Sequence, residues 1–296
     1  MTERNSFKRR VRARMARTGE SYSTARRLVR NAHPEPSDKA TKLRVSLVQP
    51  AVRTGDLETD LDVLFQALPT PTCDVLVLPE LIACNASPAT YEAAMRSIAM
   101  ENRCHVVGGS AYAPAPDGKL NAGLVVDQSG KIVSRYEKFR PYGAENGAGV
   151  SRGKTSGTFE VAGRTFAVMI CADMWFSESF ALLGCEPDVL LIPSFSITQR
   201  EDPDKARRLW QHMMIARAYE YAAYVGVCDW AHPCEFEGLP AAGVSGFADP
   251  RPNGESFFAG NGDDHIRTYT LDFERLESFR SNRVDRGFAS LAGERG

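Results

Sequence analysis

No stretch of this 296-residue chain approaches the ~20 consecutive apolar residues of a membrane span. The start is basic but has no apolar core of a secretory signal. The seven cysteines are scattered, odd in number and free of any CxxC pair. That pattern suits reduced thiols in a cytoplasm better than a disulfide framework or a structural zinc site. There is no GxGxxG opening a helix and no GxxxxGK[ST], so the common nucleotide cradles are excluded. Internal repeats and low-complexity segments are absent too. Net charge is only −1, with 43% hydrophobic and 25% charged residues, as in ordinary globular proteins. These absences imply a cytoplasmic protein with no membrane anchor, no cofactor and no metal.

The small net charge hides an asymmetry. Residues 1–42 carry twelve lysines and arginines against four acids, a charge of +8, which leaves −9 for the rest. Within this arm, helical spacing of Val11 and Met15, then of Tyr22, Ala25, Leu28 and Val29, predicts two short helices over 5–31. Asn31 to Asp38, with two prolines, reads as a linker. The arm has too few apolar residues for a core of its own. It lacks the aromatic interleaving of many nucleic-acid sites and the length of a helix-turn-helix domain. A solvated or partner-docking arm is the favoured reading, and nucleic-acid binding through residues 1–42 is the lesser one.

The globular domain is expected from residue 43 to 296. Predicted strands at 44–52, 73–81, 105–113, 166–170, 189–193, 224–229, 243–248 and 268–271 are interspersed with predicted helices at 56–68, 88–102 and about 203–221. A hairpin is predicted over 122–127 and 131–136 around Ser129-Gly130. Strands alternating with helices, with hairpins mixed in, argue for an α/β fold of one mixed sheet or two packed sheets.

One stretch carries chemistry. Thr165 to Glu178 reads TFAVMICADMWFSE, a buried strand delivering Cys171, a small Ala172 and the acid Asp173. A thiolate there attacks carbonyl carbon well, although a free cysteine is also among the most buried residue types. Glu80 ends another apolar strand in LVLPEL, and Lys138 follows the hairpin in RYEKF. A buried carboxylate can take the thiol's proton. A lysine and the N–H after the nucleophile can hold the charge of a tetrahedral intermediate.

The order of these pieces resembles the nitrilase, or carbon–nitrogen hydrolase, superfamily over residues ~43–285. LVLPEL, GGSAY, LNAGLVVDQSGKIVSRYEKF, VMICADMWFSE, VLLIPS, ARAYEYAAYV and GVSGFADPRPNG match its motifs in sequence. The resemblance implies an α-β-β-α sandwich, usually paired into a homodimer, with the basic arm outside it. It also implies catalytic roles for Cys171 as nucleophile, Glu80 as base and Lys138 as stabiliser, with Glu145 placing the leaving group. Ala172, Asp173, Trp175, Ser194 and Phe195 are the expected oxyanion and substrate-binding residues. The implied activity is cleavage of a small linear amide or N-carbamoyl compound through a thioester.

The chain departs from the family in places. Ala172-Asp173 stands where nitrile-cleaving members carry Trp-Glu, which favours amide chemistry. Ser177 replaces a usual proline, and Tyr221 a frequent asparagine. Transfer of the acyl group to an amine, nitrile hydrolysis, and a catalytically silent binding module with a basic arm stay open as alternatives. Cys–His pairs through His105, His212 or His232, and a metal site at His232, Cys234 and Glu235, are weaker readings.

Overall fold

The computed structural model describes residues 39–67, 72–198, 203–251, 257–258 and 265–287, with a few isolated positions before residue 39. The predicted arm helices over 5–31 lie almost wholly outside the described residues. The chain divides into two units, 1–39 and 40–296, and both sheets belong to the second.

The first sheet takes β1 (Lys42–Gln49), β2 (Val75–Val77), β3 (His105–Val107), β4 (Ala111–Ala115), β5 (Gly118–Val126), β6 (Ile132–Glu137) and, from the far end of the chain, β15 (His265–Asp272). Its order is β15-β1-β2-β3-β5-β4, with β6 also on β5. The second takes β7 (Gly157–Val161), β8 (Arg164–Val168), β9 (Val189–Pro193), β10 (Tyr224–Cys228), β13 (Gly246–Ala248) and β14 (Phe257–Phe258), in the order β14-β13-β10-β9-β8-β7. A two-stranded ribbon, β11 (Glu235–Phe236) and β12 (Leu239–Pro240), stands apart. At the centre of each sheet three strands run parallel: β1, β2 and β3 in one, β8, β9 and β10 in the other.

Alternation along the strands explains the layering. Val45, Leu47, Val75, Val77, Val107 and Val125 join Phe166, Val168, Leu191 and Phe247 in the core between the sheets. The intervening Val48, Leu76, Leu78, Val106 and Val126 face the other way. They pack on Leu57 and Leu61 of α1 (Leu57–Ala67) and on Tyr91, Met95 and Ile98 of α2 (Pro88–Asn102). The second sheet is covered by Trp210, Met214 and Ala218 of α4 (Asp204–Tyr221), with the short α3 (Ser177–Ala181) beside it. The architecture is an α-β-β-α sandwich. No helix among the described residues is long and apolar enough to cross a membrane.

Some expectations need revision. The predicted strand 105–113 is two strands, broken at Gly108-Gly109. Gly109 has φ +63°, and a Cβ there would sit 2.0 Å from the Pro79 carbonyl oxygen, so the chain can pass under Pro79 only as glycine. The strand before Glu80 is short, Val75–Val77, because residues 78–85 turn back beneath the site. β7, β11, β12, β14 and α5 (Phe273–Asp285) have no counterpart among the predicted elements. α5 buries only Phe273 and Leu276, too sparse a stripe to stand out from a charged sequence.

Candidate active site

The parallel strands of both sheets end on the same side. β2 leads to Glu80, β8 to Cys171, β9 to Phe195 and β10 to Trp230. Carboxyl ends of parallel strands are where α/β folds commonly build their sites.

Glu80 sits in a tight turn fixed from three sides. Leu81 N–H, at φ +58°, donates to Ser110 Oγ at 2.9 Å, Ala83 N–H donates to Ser110 O at 3.2 Å, and Trp230 Nε1 donates to Glu80 O at 2.7 Å. Lys138 follows β6 directly. Its own N–H donates to Asn121 O, and its carbonyl accepts from Gly153 N–H, both at 2.8 Å. Cys171 opens a 3₁₀ turn, Cys171–Trp175, with φ +46°. That left-handed conformation costs a non-glycine residue roughly 1–3 kcal/mol, and here it carries the nucleophile candidate.

These side chains converge. Lys138 Nζ lies 2.7 Å from Glu80 Oε1 and 2.6 Å from Glu145 Oε2. Glu80 Oε2 accepts from Phe195 N–H at 2.8 Å, and Glu145 Oε2 accepts from Tyr142 N–H at 2.9 Å. Asn121 Nδ2 donates to both acids, to Glu80 Oε1 at 2.8 Å and to Glu145 Oε1 at 2.7 Å. Cys171 Sγ lies 3.7 Å from Phe195 O. Glu80, Asn121, Lys138, Glu145 and Cys171 are all buried.

Burial sets the electrostatics. It pushes the Cys171 thiol well up, the Glu80 charge adds to this, and Lys138 opposes it. For Lys138, burial alone would favour the neutral amine. The charges of Glu80 and Glu145 reverse that, so the ammonium is retained. The resting site is therefore a protonated thiol beside an ammonium held between two acids. Removing either partner of such a buried pair costs about 3–5 kcal/mol.

The remaining predicted residues divide. Ala172 is buried beside the thiol, and among the described residues no acceptor takes its N–H. Asp173, expected at the substrate, acts as a clamp. Its Oδ2 accepts from Ile170 N–H (3.1 Å) and Phe139 N–H (3.2 Å), and its Oδ1 accepts from Arg140 N–H (2.9 Å). It thus ties the cysteine turn to the loop after Lys138, and burial pushes its carboxyl up to about 7. Trp175 meets Trp210 of α4 edge-on, centroids 5.1 Å apart, and its carbonyl accepts from Arg217 at 3.3 Å. Ser194 spends its hydroxyl on Ile192 O at 3.1 Å. Phe195 enters through its backbone, since its N–H is taken by Glu80, while its ring packs on Trp230 and Phe236. The histidines lie elsewhere. His105 stacks on Phe159, His212 is exposed on α4, and His232 Nδ1 is 2.8 Å from Ala241 O. Among the described residues no three His, Cys, Asp or Glu are grouped to hold a metal.

Two further residues of the site, Asn121 and Tyr112, do not stand out in the sequence. A polar asparagine amid the apolar residues of LNAGLVV is the available signal. Tyr112 is its register partner on β4, and its hydroxyl is pushed up by burial and by the charges of Glu145 and Glu80.

A two-sheet sandwich with a buried thiol, a lysine and two acids at its strand ends is the frame of a carbon–nitrogen hydrolase. The sequence model of the carbon-nitrogen hydrolase family matches residues 44–281, and the chain belongs to that family. Among curated proteins it is 26% identical over 169 residues to 2-oxoglutaramate amidase of Bacillus subtilis (strain 168). The match covers 53% of this chain and 63% of that relative, less than two thirds of its length. Among solved structures, Nit3 of Saccharomyces cerevisiae, a member of branch 10 of the nitrilase superfamily, aligns with TM-score 0.67 and 24% identity over 82% of this chain and 95% of its own. The amidase from Nesterenkonia sp. AN1 aligns with TM-score 0.64 and 20% identity over 83% of this chain and all of its own. At these identities the structures speak for the fold. The family match places the chain among the carbon–nitrogen hydrolases.

Proposed function

We propose that this enzyme cleaves a small linear amide or N-carbamoyl compound through a thioester on Cys171. The observation that carries the reading is the Lys138 ammonium bound to both Glu80 and Glu145 next to a buried thiol. A thiol held so far toward its protonated form is no free thiolate. Its proton must leave as the S–C bond forms, and Glu80 is the base within reach. Two hydrogens of the ammonium are committed to the acids. The third, with the Ala172 N–H, supports a developing oxyanion. Collapse breaks the C–N bond, and the proton on Glu80 passes to the departing nitrogen. Water then attacks the thioester and gives its proton to Glu80. The S–C bond breaks, the acid leaves and the thiol is restored. Glu145 holds the lysine and, from its place in the cluster, faces the leaving group.

The test is ammonia release from a panel of small amides, ureides and nitriles, with mass spectrometry of the enzyme during turnover. The expected result is hydrolysis of one or more amides or ureides, with an acyl adduct on Cys171 that is absent from Cys171→Ala. Unchanged hydrolysis by Cys171→Ala would overturn the reading.

A further inference from the structure

Glu80 has two oxygens, and the hydrogen bonds treat them differently. Oε1 accepts from Lys138 Nζ at 2.7 Å and Asn121 Nδ2 at 2.8 Å, whereas Oε2 accepts, among the described residues, from Phe195 N–H alone, at 2.8 Å. Phe195 is also the residue whose carbonyl lies 3.7 Å from Cys171 Sγ, so the backbone of one residue joins the less occupied oxygen to the thiol. The same Asn121 nitrogen sends its other hydrogen to Glu145 Oε1 at 2.7 Å. Asn121 and Lys138 thereby close a ring with the two acids. The amide orientation follows from chemistry: turned over, Asn121 Oδ1 would face two acid oxygens with no hydrogen to offer. In the orientation present, Oδ1 is buried and accepts nothing among the described residues. A side chain kept only for packing would gain nothing from that orphaned acceptor.

We infer that Asn121 is a positioning residue that saturates Glu80 Oε1, so that Oε2 is the oxygen that receives the Cys171 proton. The inference rests on the proposed role of Glu80 as base. Asn121 acts through Glu80 and touches no reacting atom. Asn121 donates to the Glu80 carboxylate, and a donor to an ionised carboxylate favours the ionised form over the protonated one. The other titratable and charged groups that face Glu80 are Lys138 after β6, Glu145 in the Gly143–Asn146 turn, Cys171 after β8 and Tyr112 on β4. Asp173, which feels Lys138, and Glu237 in the β11–β12 turn, which feels Tyr112, lie further out.

The test needs no knowledge of the substrate. Iodoacetamide alkylation of Cys171 is followed by peptide mass spectrometry from pH 5 to 9, in wild type, Asn121→Asp and Asn121→Ala. Near-UV circular dichroism and thermal melting run alongside. In wild type, Cys171 should react at least ten-fold faster than the buried Cys228. In both variants the acid midpoint of Cys171 alkylation should move up by about one pH unit, with Asn121→Asp shifted further because it adds a like charge. Should the Asp variant lose its fold, the Ala variant carries the same comparison. A lowered melting temperature with an unmoved midpoint would make Asn121 merely structural and overturn the inference. Wild-type Cys171 reacting no faster than Cys228 would instead sink the proposed mechanism, which keeps the two failures apart.

Discussion

Cys171 and Cys228 are both buried thiols at the carboxyl ends of parallel strands in the same sheet, and burial pushes both well up. Cys228 lies 3.1 Å from both Val48 O and Val77 O, inside the sandwich, at the end of a regular strand. Cys171 has left its strand, has φ +46°, and feels Lys138 and Glu80. Position at a strand end and burial are common to the two. What separates an inert core thiol from a nucleophile is a backbone turn that releases the side chain from the sheet, and a base and a cation that meet it.

That contrast can be broken by mutation. Cys171→Ala should abolish amide hydrolysis, whereas Cys228→Ala should retain turnover within a few-fold and lose about 1–2 kcal/mol of stability by urea titration, the scale of a small cavity. Activity lost equally in both would erase the distinction. Next in size, Glu80→Gln should lower kcat/KM by about 10²–10⁴-fold, the typical range for a positioned base, with the sandwich intact by circular dichroism. Lys138→Met should lower kcat by about 10²–10³-fold. It should also destabilise the fold by about 3–5 kcal/mol, since two acids are left facing each other without a cation, an effect read from denaturant midpoints.

The smallest expected effect concerns Asp173. Its carboxyl stands at about 7 in the fold against 3.8 when free, so the folded state holds this proton more tightly than the unfolded chain. Its contribution is fully present below about pH 4, is lost as pH rises towards about 7, and is flat above. The stability difference between wild type and Asp173→Asn should therefore shift against wild type across that window. A difference independent of pH would show that the clamp does not titrate there.

Glu80 and Cys171 stand out in the sequence because each follows a buried apolar run, whereas Lys138 follows the half-exposed IVSRYE strand and is marked only by the hairpin before it. Lys138 and Glu80 can be located there, yet their contact cannot, since it joins residues 58 positions apart through two turns. Asp173 looks like a substrate contact because its proximity to Cys171 in sequence is visible, while its partners Phe139 and Arg140 come from another element. Asn121 is harder still. An asparagine inside a strand has no pattern of its own, and only the register of β5 against β4 and the loop after β6 gives it meaning. α5 and β7 escape for a plainer reason, since one is nearly half charged and the other lies at a sheet edge with some of its residues exposed or partly exposed.

The pairing of β1 carries a consequence for the birth of the enzyme. Residues 42–49 hydrogen-bond on one side to β2 and on the other, over eight residue pairs, to 265–272. One of the earliest strands to leave the ribosome waits for one of the last. At the usual rate of roughly 5–20 residues per second, the interval is on the order of 10–45 s. Throughout it, the edge of β1 is a row of unpaired peptide groups able to template a neighbouring nascent chain. Crowding of nascent chains on one message is thus a stress this edge meets, and recombinant yield should rise when initiation is spaced out so that fewer chains share a polysome.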